Sequence, residues 1–362
     1  MAVPGPCTME EGMNICLLGN AESSHLQKWA RAFAGRKNKV TVFSYRQAEI
    51  PGVNVIRIEE PGFRLPLVSV KHKAGKVMKA LISLKPDILH AHYLSDYGWL
   101  GAWTGFHPLV VSAWGSDVIG AGFINRQAAG FVFRKADCIT AASEFLKNAA
   151  FPLAGSGNIE IVPFGVDTEL FRPGPEKKDP GAFTIGTVKA LEKVYGINFL
   201  IEALPLMKNE IKNLRVIIVG EGSMKQELKR IADAGGVKVE FAGNVDNNSV
   251  PGYLQQMDVF VMPSIRESFG VSALEAASTG IPVVATRTGG IPGVVADNAT
   301  GMLVQPGNPG EIARAVISLY KNPDKRREMG DNARKMVKTK YEWNVCVEKM
   351  GRLYEKTAKR TS

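Results

Sequence analysis

Short aliphatic and β-branched runs alternate with longer amphipathic stretches along nearly the whole chain. NICLLG (14–19), KVTVFS (39–44), DILHAH (87–92), LVVSA (109–113) and CITAA (138–142) read as buried strands. So do FTIGTV (183–188), LRVIIVG (214–220), VEFAG (239–243), DVFVMP (258–263) and PVVAT (282–286). Between them, 24–35, 70–84, 196–208, 223–234 and 309–321 carry apolar residues at helical spacing. Strands that are apolar on both faces, separated by helices, are the pattern of a parallel sheet covered on both sides. The fold class is α/β.

The alternation breaks once. FRPGPEKKDPGAF (171–183) holds three prolines, two glycines and a charge cluster without periodicity, and it reads as a linker over 172–182. The strand–helix series on either side predict two doubly wound, Rossmann-like domains, 13–171 and 183–340. Such sheets bind ligands beyond the carboxyl ends of their strands, so two of them facing one another predict a site in the cleft between. From Tyr341 onward the pattern is helical again, and 341–362 is placed to pack back across the junction.

Composition adds limits. A chain of 362 residues, 45% hydrophobic and 22% charged, can bury two cores. No apolar run approaches the roughly 20 residues of a membrane span. The opening MAVPGPCTMEEG has neither the basic start nor the apolar stretch of a signal peptide, so a cytoplasmic protein is expected. Cys7, Cys16, Cys138 and Cys346 are scattered, which argues against a disulfide framework or a zinc site; Cys16 and Cys138 sit in apolar runs and read as core. With no Asp-x-Asp and no His-Glu-x-x-His, no catalytic metal is expected. The net charge is +10, and from Lys321 onward thirteen Lys and Arg face six Asp and Glu. Solvated helix faces account for that excess, with an anionic ligand or membrane surface as the other reading. Basic residues are not interleaved with aromatics, so nucleic acid is not an expected partner.

The candidate chemistry gathers in RESFGVSALEAASTG (266–280), where Glu267 and Glu275 lie eight residues apart around a Phe-Gly step. Ser272-Ala-Leu-Glu275 matches a capping box, which would make Glu275 a local helix cap. The other reading explains more of the stretch. Amides of 269–272 at a helix start would face an anion, Glu275 would accept hydrogen bonds from a vicinal diol such as ribose, and Glu267 would reach a second polyol. A nucleoside diphosphate bearing a sugar has that shape. Lys189 and Lys193 in GTVKALEKVYG (186–196) lie at a strand end, where they neutralise a diphosphate or simply share a solvated face. GEG at 220–222 opens like a dinucleotide fingerprint but continues Ser-Met-Lys where a third glycine belongs.

The chain resembles the retaining family 4 glycosyltransferases, which have the GT-B fold, from about residue 14 to 345. The glutamate pair matches that family's E-x7-E motif in ESFGVSALE, followed by AASTGIPVVAT. In order around it stand IVPFGVDTELFRP (161–173), IGTVKALEKVYGINFLIEAL (185–204), VIIVGEGSMKQEL (216–228) and GGIPGVVADNATGMLV (289–304). The resemblance implies that Glu275 holds the donor ribose and Glu267 contacts hydroxyls of the transferred sugar. It implies donor contacts from Ser268, Phe269, Gly270, Val271, Gly222 and, in the first domain, Gly19. Lys193, and Lys189 in place of the usual arginine, would neutralise the leaving diphosphate, with no metal required. Two departures stand out. The family's His-Gly-x-Asp reads Trp114-Gly115-Ser116-Asp117 here, and Gly293 replaces a common Glu. His90 and His92 alternate on one strand face, so with Trp114 and Asp117 they are the acceptor-side candidates.

The expected activity is transfer of a sugar, with retained configuration, from a nucleoside-diphosphate sugar, a UDP-sugar first, to a hydroxyl of a glycan, lipid-linked or small-molecule acceptor. The alternatives are a sugar-nucleotide epimerase of the same fold, an NAD-dependent Rossmann oxidoreductase using the GEG loop, and a nucleotide-sugar-binding protein without activity, which Trp114 keeps open. RLPLVSVKHKAGKVMKALISL (64–84) mixes Lys71, Lys73, Lys76 and Lys79 with aliphatics, and reads either as a surface helix packed on the sheet or as a basic helix resting on a membrane.

Overall fold

Ile15, Cys16, Leu17 and Leu18 are wholly buried, so both faces of the strand Asn14–Leu18 are covered, as its unbroken apolar run requires. The computed structural model describes residues 12–60, 66–119, 123–154, 159–174 and 181–361; most of the expected linker, 175–180, lies outside them. The chain forms two compact α/β units. The first runs to Pro163 and is completed by residues from Cys346 onward; the second is Phe164–Val345.

The first unit contains β1 (Asn14–Leu18), β2 (Lys39–Ser44), β3 (Asn54–Arg57), β4 (Ile88–His92), β5 (Leu109–Ala113), β6 (Cys138–Ala141) and β7 (Ile159–Ile161). They form one parallel sheet in the order β3-β2-β1-β4-β5-β6-β7, with Ile15 in register between Val40 and Ile88. The second unit contains β8 (Phe183–Val188), β9 (Leu214–Val219), β10 (Glu240–Gly243), β11 (Val259–Met262), β12 (Val283–Thr286) and β13 (Gly301–Val304), ordered β10-β9-β8-β11-β12-β13. Its sheet is also all parallel. In each unit the chain winds outward from its first strand and then returns to the other side. The winding reverses between β1 and β4, and between β8 and β11. Crevices at such reversals are where doubly wound sheets hold ligands.

All ten expected strands are present, and three further ones appear: β3, β7 and β13. Each is a sheet edge of three or four residues, partly exposed, too short to print a periodicity. The helix Pro66–Leu84 buries Val70, Ala74, Val77 and Leu81, one face at helical spacing. Lys73 and Lys76 pair with Glu60 (3.4 Å) and Glu59 (2.9 Å), and Lys71 stands over the Trp103 ring (4.9 Å), so three of the four lysines have local partners. Among the described residues no helix is long and apolar enough to cross a membrane. Cys16 and Cys138 are buried, which pushes both thiols up to about 12.

A polar chain runs through the first unit's core. The Tyr354 hydroxyl, on the last helix, meets His90 Nδ1 at 2.6 Å; His90 Nε2 meets Ser112 Oγ at 2.7 Å; Ser112 Oγ meets Thr140 Oγ1 at 2.6 Å. Residues from the far end of the sequence thereby complete the hydrogen bonding of β4, β5 and β6. Tyr354→Phe would leave a buried ring nitrogen without a partner. Urea unfolding of that variant is expected to show the first unit destabilised by about 1–3 kcal/mol.

Candidate functional site

In the second unit, one loop connects β11 to the helix Val271–Ser278, and it carries Glu267. Backbone contacts hold it from both sides. On the β8 side, the amide of Ile265 donates to the carbonyl of Val194 (2.9 Å), within the 3-10 turn Lys193–Tyr195. Gly196, at φ 61°, closes that turn, and a Cβ there would overlap the carbonyl oxygen of Pro263. On the β12 side, Thr286 Oγ1 donates to the Ser264 carbonyl (2.5 Å), Thr288 Oγ1 to that of Ile265 (2.9 Å), and the Gly290 amide to that of Glu267 (3.0 Å). Cβ atoms at Gly289 and Gly290 would overlap the carbonyl oxygens of Glu267 and Ser268. Backbone lies directly on backbone, and glycine is what permits the approach.

This clamp sets the charges. Lys189, just past β8, donates from Nζ to Glu267 Oε2 at 2.7 Å, with both side chains mostly buried. The Lys189 ammonium also lies 4.4 Å from the centre of the Tyr195 ring. The ion pair thus occupies the reversal between β8 and β11. Phe269 is buried against Phe164 and Tyr341, so only its backbone is turned to the loop's surroundings. Gly270, at φ 103°, swings the chain into the helix. The amides of Val271 and Ser272 then have no carbonyl a turn earlier to meet. Glu275 stands on the second turn, half-buried.

Ser272 and Glu275 do not form the expected capping box. Gly270 precedes the helix and no side chain caps it; Ser272 is already helical, and its buried hydroxyl has no hydrogen-bond partner. The left-handed glycine begins the helix before Ser272 can act as a cap. Lys193 is exposed on the turn beneath which Lys189 pairs. Gly222 has a packing role: a Cβ there would crowd the Leu191 carbonyl and Glu192 Oε1 (2.7 Å), and Glu192 in turn binds the Ser223 amide (2.9 Å) and hydroxyl (2.5 Å). GEG also follows β9, not β8, the first strand of its unit, so it stands away from the position of a dinucleotide fingerprint.

In the first unit, Gly19 follows β1 and lies close to Leu26 and His92; a Cβ there would lie 3.0 Å from Leu26 Cδ1 and 3.4 Å from His92 Cβ. His92 ends β4 and Trp114 follows β5. Trp114 meets His92 edge-on at 5.3 Å and His25 at 5.4 Å, and it stacks on Tyr93 at 5.0 Å. Gly19, His92 and Trp114 are therefore brought together at the β1/β4 reversal, while His90 and Asp117 have other duties. His90 stacks on His92 at 4.3 Å, but both its nitrogens are spent on the core chain described above. The Asp117 carboxylate accepts from the amides of Leu94 (2.8 Å), Trp114 (3.0 Å) and Gly115 (2.8 Å), tying together the loops after β4 and β5. Burial nonetheless raises its pKa, with those amides opposing. Burial, then the neighbouring imidazole, pushes His90 well below the usual histidine range; burial, then the charge of His25, lowers His92 to about 3.

Tyr195, His25, Tyr93 and the Gly289-Gly290 clamp escaped the sequence reading. Only the paired glycines left a signal, since a Gly-Gly step after a strand marks close backbone approach. Gly293, by contrast, faces open space, so packing does not dictate its lack of a side chain. Chemically, the second unit offers a paired cation and carboxylate beside a helix start that no side chain caps, and the first offers aromatic faces around a buried imidazole. Among the described residues no three His, Cys, Asp or Glu side chains gather as a metal-ligating group.

Two family models match: glycosyl transferase 4-like over residues 14–143 and glycosyl transferases group 1 over 169–336. A GDP-mannose-dependent phosphatidylinositol monomannoside mannosyltransferase of Mycobacterium tuberculosis is 30% identical over 232 residues, 59% of this chain and 60% of that one. The chain thus spans about 60% of the length of the first curated relatives it matches. A D-inositol 3-phosphate glycosyltransferase of Streptomyces coelicolor is 29% identical, covering 71% of this chain and 67% of its own. Among solved structures, sucrose-phosphate synthase from Thermosynechococcus elongatus (TM-score 0.79, 20% identity, 95% and 98% coverage) and Anabaena HepE in complex with UDP (0.82, 20%, 95% and 100%) share the fold.

Two outcomes follow from this geometry. Gly289→Ala places a methyl group on the Glu267 carbonyl at a left-handed φ of 53°, and is expected to lower the thermal midpoint with a loss of at least about 1–3 kcal/mol. His90 and His92 are buried uncharged, while an unfolded chain takes up protons near 6.5. The first unit's stability is therefore complete above pH 6.5 and falls as pH drops toward 3, at up to about 1.4 kcal/mol per histidine per pH unit. Unfolding free energies at pH 7 and 5 check the sign.

Proposed function

We propose that this chain, which belongs to the group 1, family 4-type glycosyltransferases with the GT-B fold, transfers a sugar from a nucleoside-diphosphate sugar to a hydroxyl acceptor. The observation that carries the reading is the Lys189–Glu267 pair, at the sheet reversal and next to a helix start that no side chain caps. In this reading Lys189 and Lys193 take the diphosphate, aided by the amides that follow Gly270, and Glu275 accepts the ribose hydroxyls. Glu267 exchanges part of its contact with Lys189 for hydroxyls of the transferred sugar.

Catalysis is then largely electrostatic, because charge that develops on the departing diphosphate meets cations and dipoles already in place. The bond from the anomeric carbon to the phosphate oxygen breaks as the acceptor oxygen bonds on the same face. The acceptor's proton passes to the leaving phosphate, so configuration is retained, and neither a covalent nucleophile nor a divalent metal takes part. A trapped glycosyl-enzyme adduct would overturn that step.

For the donor, the sequence resemblance favours a UDP-sugar. GDP-mannose is the second reading, supported by the name of the mycobacterial mannosyltransferase. Acceptors in the names of the relatives carry inositol rings, which favours a hydroxyl-rich acceptor here. The position of GEG after β9 speaks against the NAD-dependent alternative.

Thermal unfolding with UDP, GDP, ADP and NAD, for wild type and Glu275→Ala, tests the reading. A nucleoside diphosphate at a hundred times its Kd is expected to stabilise wild type by about 2.7 kcal/mol, and the variant is expected to lose most of the shift. Stabilisation by NAD alone, or an equal shift in both proteins, would sink the proposal.

A further inference from the structure

His92 is buried to 3% exposure, and both of its ring nitrogens lack a hydrogen-bond partner. Its neighbour on the same strand face, His90, has both nitrogens satisfied. The contrast matters because a buried polar atom without a partner forfeits the hydration it had in water, and an apolar ring of similar shape would avoid that cost. The groups around His92 give it ring faces and edges: His90 stacked, Trp114 edge-on. They give its nitrogens no donor and no acceptor. Gly19 keeps the adjacent wall free of a side chain, since even a Cβ there would lie 3.4 Å from His92 Cβ. All of this stands at the carboxyl ends of β1, β4 and β5, where the first unit's winding reverses.

We infer that His92 is a ligand-binding residue, a ring nitrogen of which is satisfied by a hydroxyl of a sugar or polyol ring seated against Trp114. An uncharged imidazole has one nitrogen that donates and one that accepts, and a hydroxyl, itself both donor and acceptor, can meet either. A phosphate only accepts and would favour the imidazolium, which burial opposes and the nearby His25 opposes further. The inference rests on the glycosyltransferase reading and assigns a chemical class to its first-unit site. The hydroxyl comes either from the donor's sugar or from the acceptor.

His92→Phe separates these cases, with His92→Gln, which keeps an uncharged donor and acceptor, as the rescue. Without ligand, His92→Phe is expected to raise the thermal midpoint by about 2–4 °C, because it removes two unpartnered buried atoms. A structural histidine, satisfied by buried water, would instead lose stability on this change. Binding of UDP-glucose and GDP-mannose is then compared with that of UDP and GDP. If the hydroxyl is the donor's, His92→Phe loses about tenfold in affinity for the nucleotide-sugar that wild type prefers, and nothing for the bare diphosphate. If it is the acceptor's, both affinities are kept and hydrolysis of the donor to water continues, while transfer to a sugar acceptor falls by tenfold or more. His92→Gln recovers most of either loss. Should wild type bind none of these nucleotides, the glycosyltransferase reading itself fails. Should wild type bind them, and His92→Phe bind, hydrolyse and transfer as wild type does, the role of His92 is overturned.

Discussion

The second unit's site depends on backbone lying against backbone. The loop after β11 has no regular structure of its own, yet it must present Glu267 to Lys189 at 2.7 Å. It can do so because the Lys193–Gly196 turn and the Thr286–Gly290 segment grip its carbonyls and amides from both sides. A side chain at Gly196, Gly289 or Gly290 would push one wall of that grip outward. Rigid flanking elements thus position a loop residue, which is the arrangement catalytic and binding groups need. The Lys189–Glu267 pair is also self-neutralising: each charge is held by the other, so neither is buried alone.

The first unit solves a different problem. β4 buries two histidines on one face, and the protein treats them unequally. His90 is fastened between Tyr354 and Ser112 and serves the core. His92, two residues on and at the mouth of the sheet, is packed but not satisfied. Asp117 stitches the loops that frame it through three amides, which keeps Trp114 in place over the imidazole. Polar groups that look alike in sequence divide here into scaffold and site.

The strands were legible because parallel sheets buried on both faces write continuous apolar runs, and all ten runs became strands. The three edge strands were not, since three or four half-exposed residues leave no period to count. The Glu267 loop was legible through its motif, but its supports were not. The carbonyls that Gly196, Gly289 and Gly290 approach belong to residues distant in sequence or to a neighbouring turn, and no local pattern encodes them. The capping box misled for a local reason: Ser272 and Glu275 have the right spacing, but a left-handed Gly270 starts the helix ahead of them. His90 and Asp117 were selected for their chemistry, and only their hydrogen-bond partners reveal that this chemistry is used internally.

The chain leaves the first unit at Pro163 and returns to it only from Cys346. During synthesis, β4 and its His90 are therefore made long before Tyr354, and the whole second unit emerges in between. For that interval the first sheet carries an incomplete polar core and waits for the last helix to close it. Quality control of the nascent chain would meet the oldest part of the protein in its least finished state, and a premature stop close to the end of the message would injure the beginning of the fold.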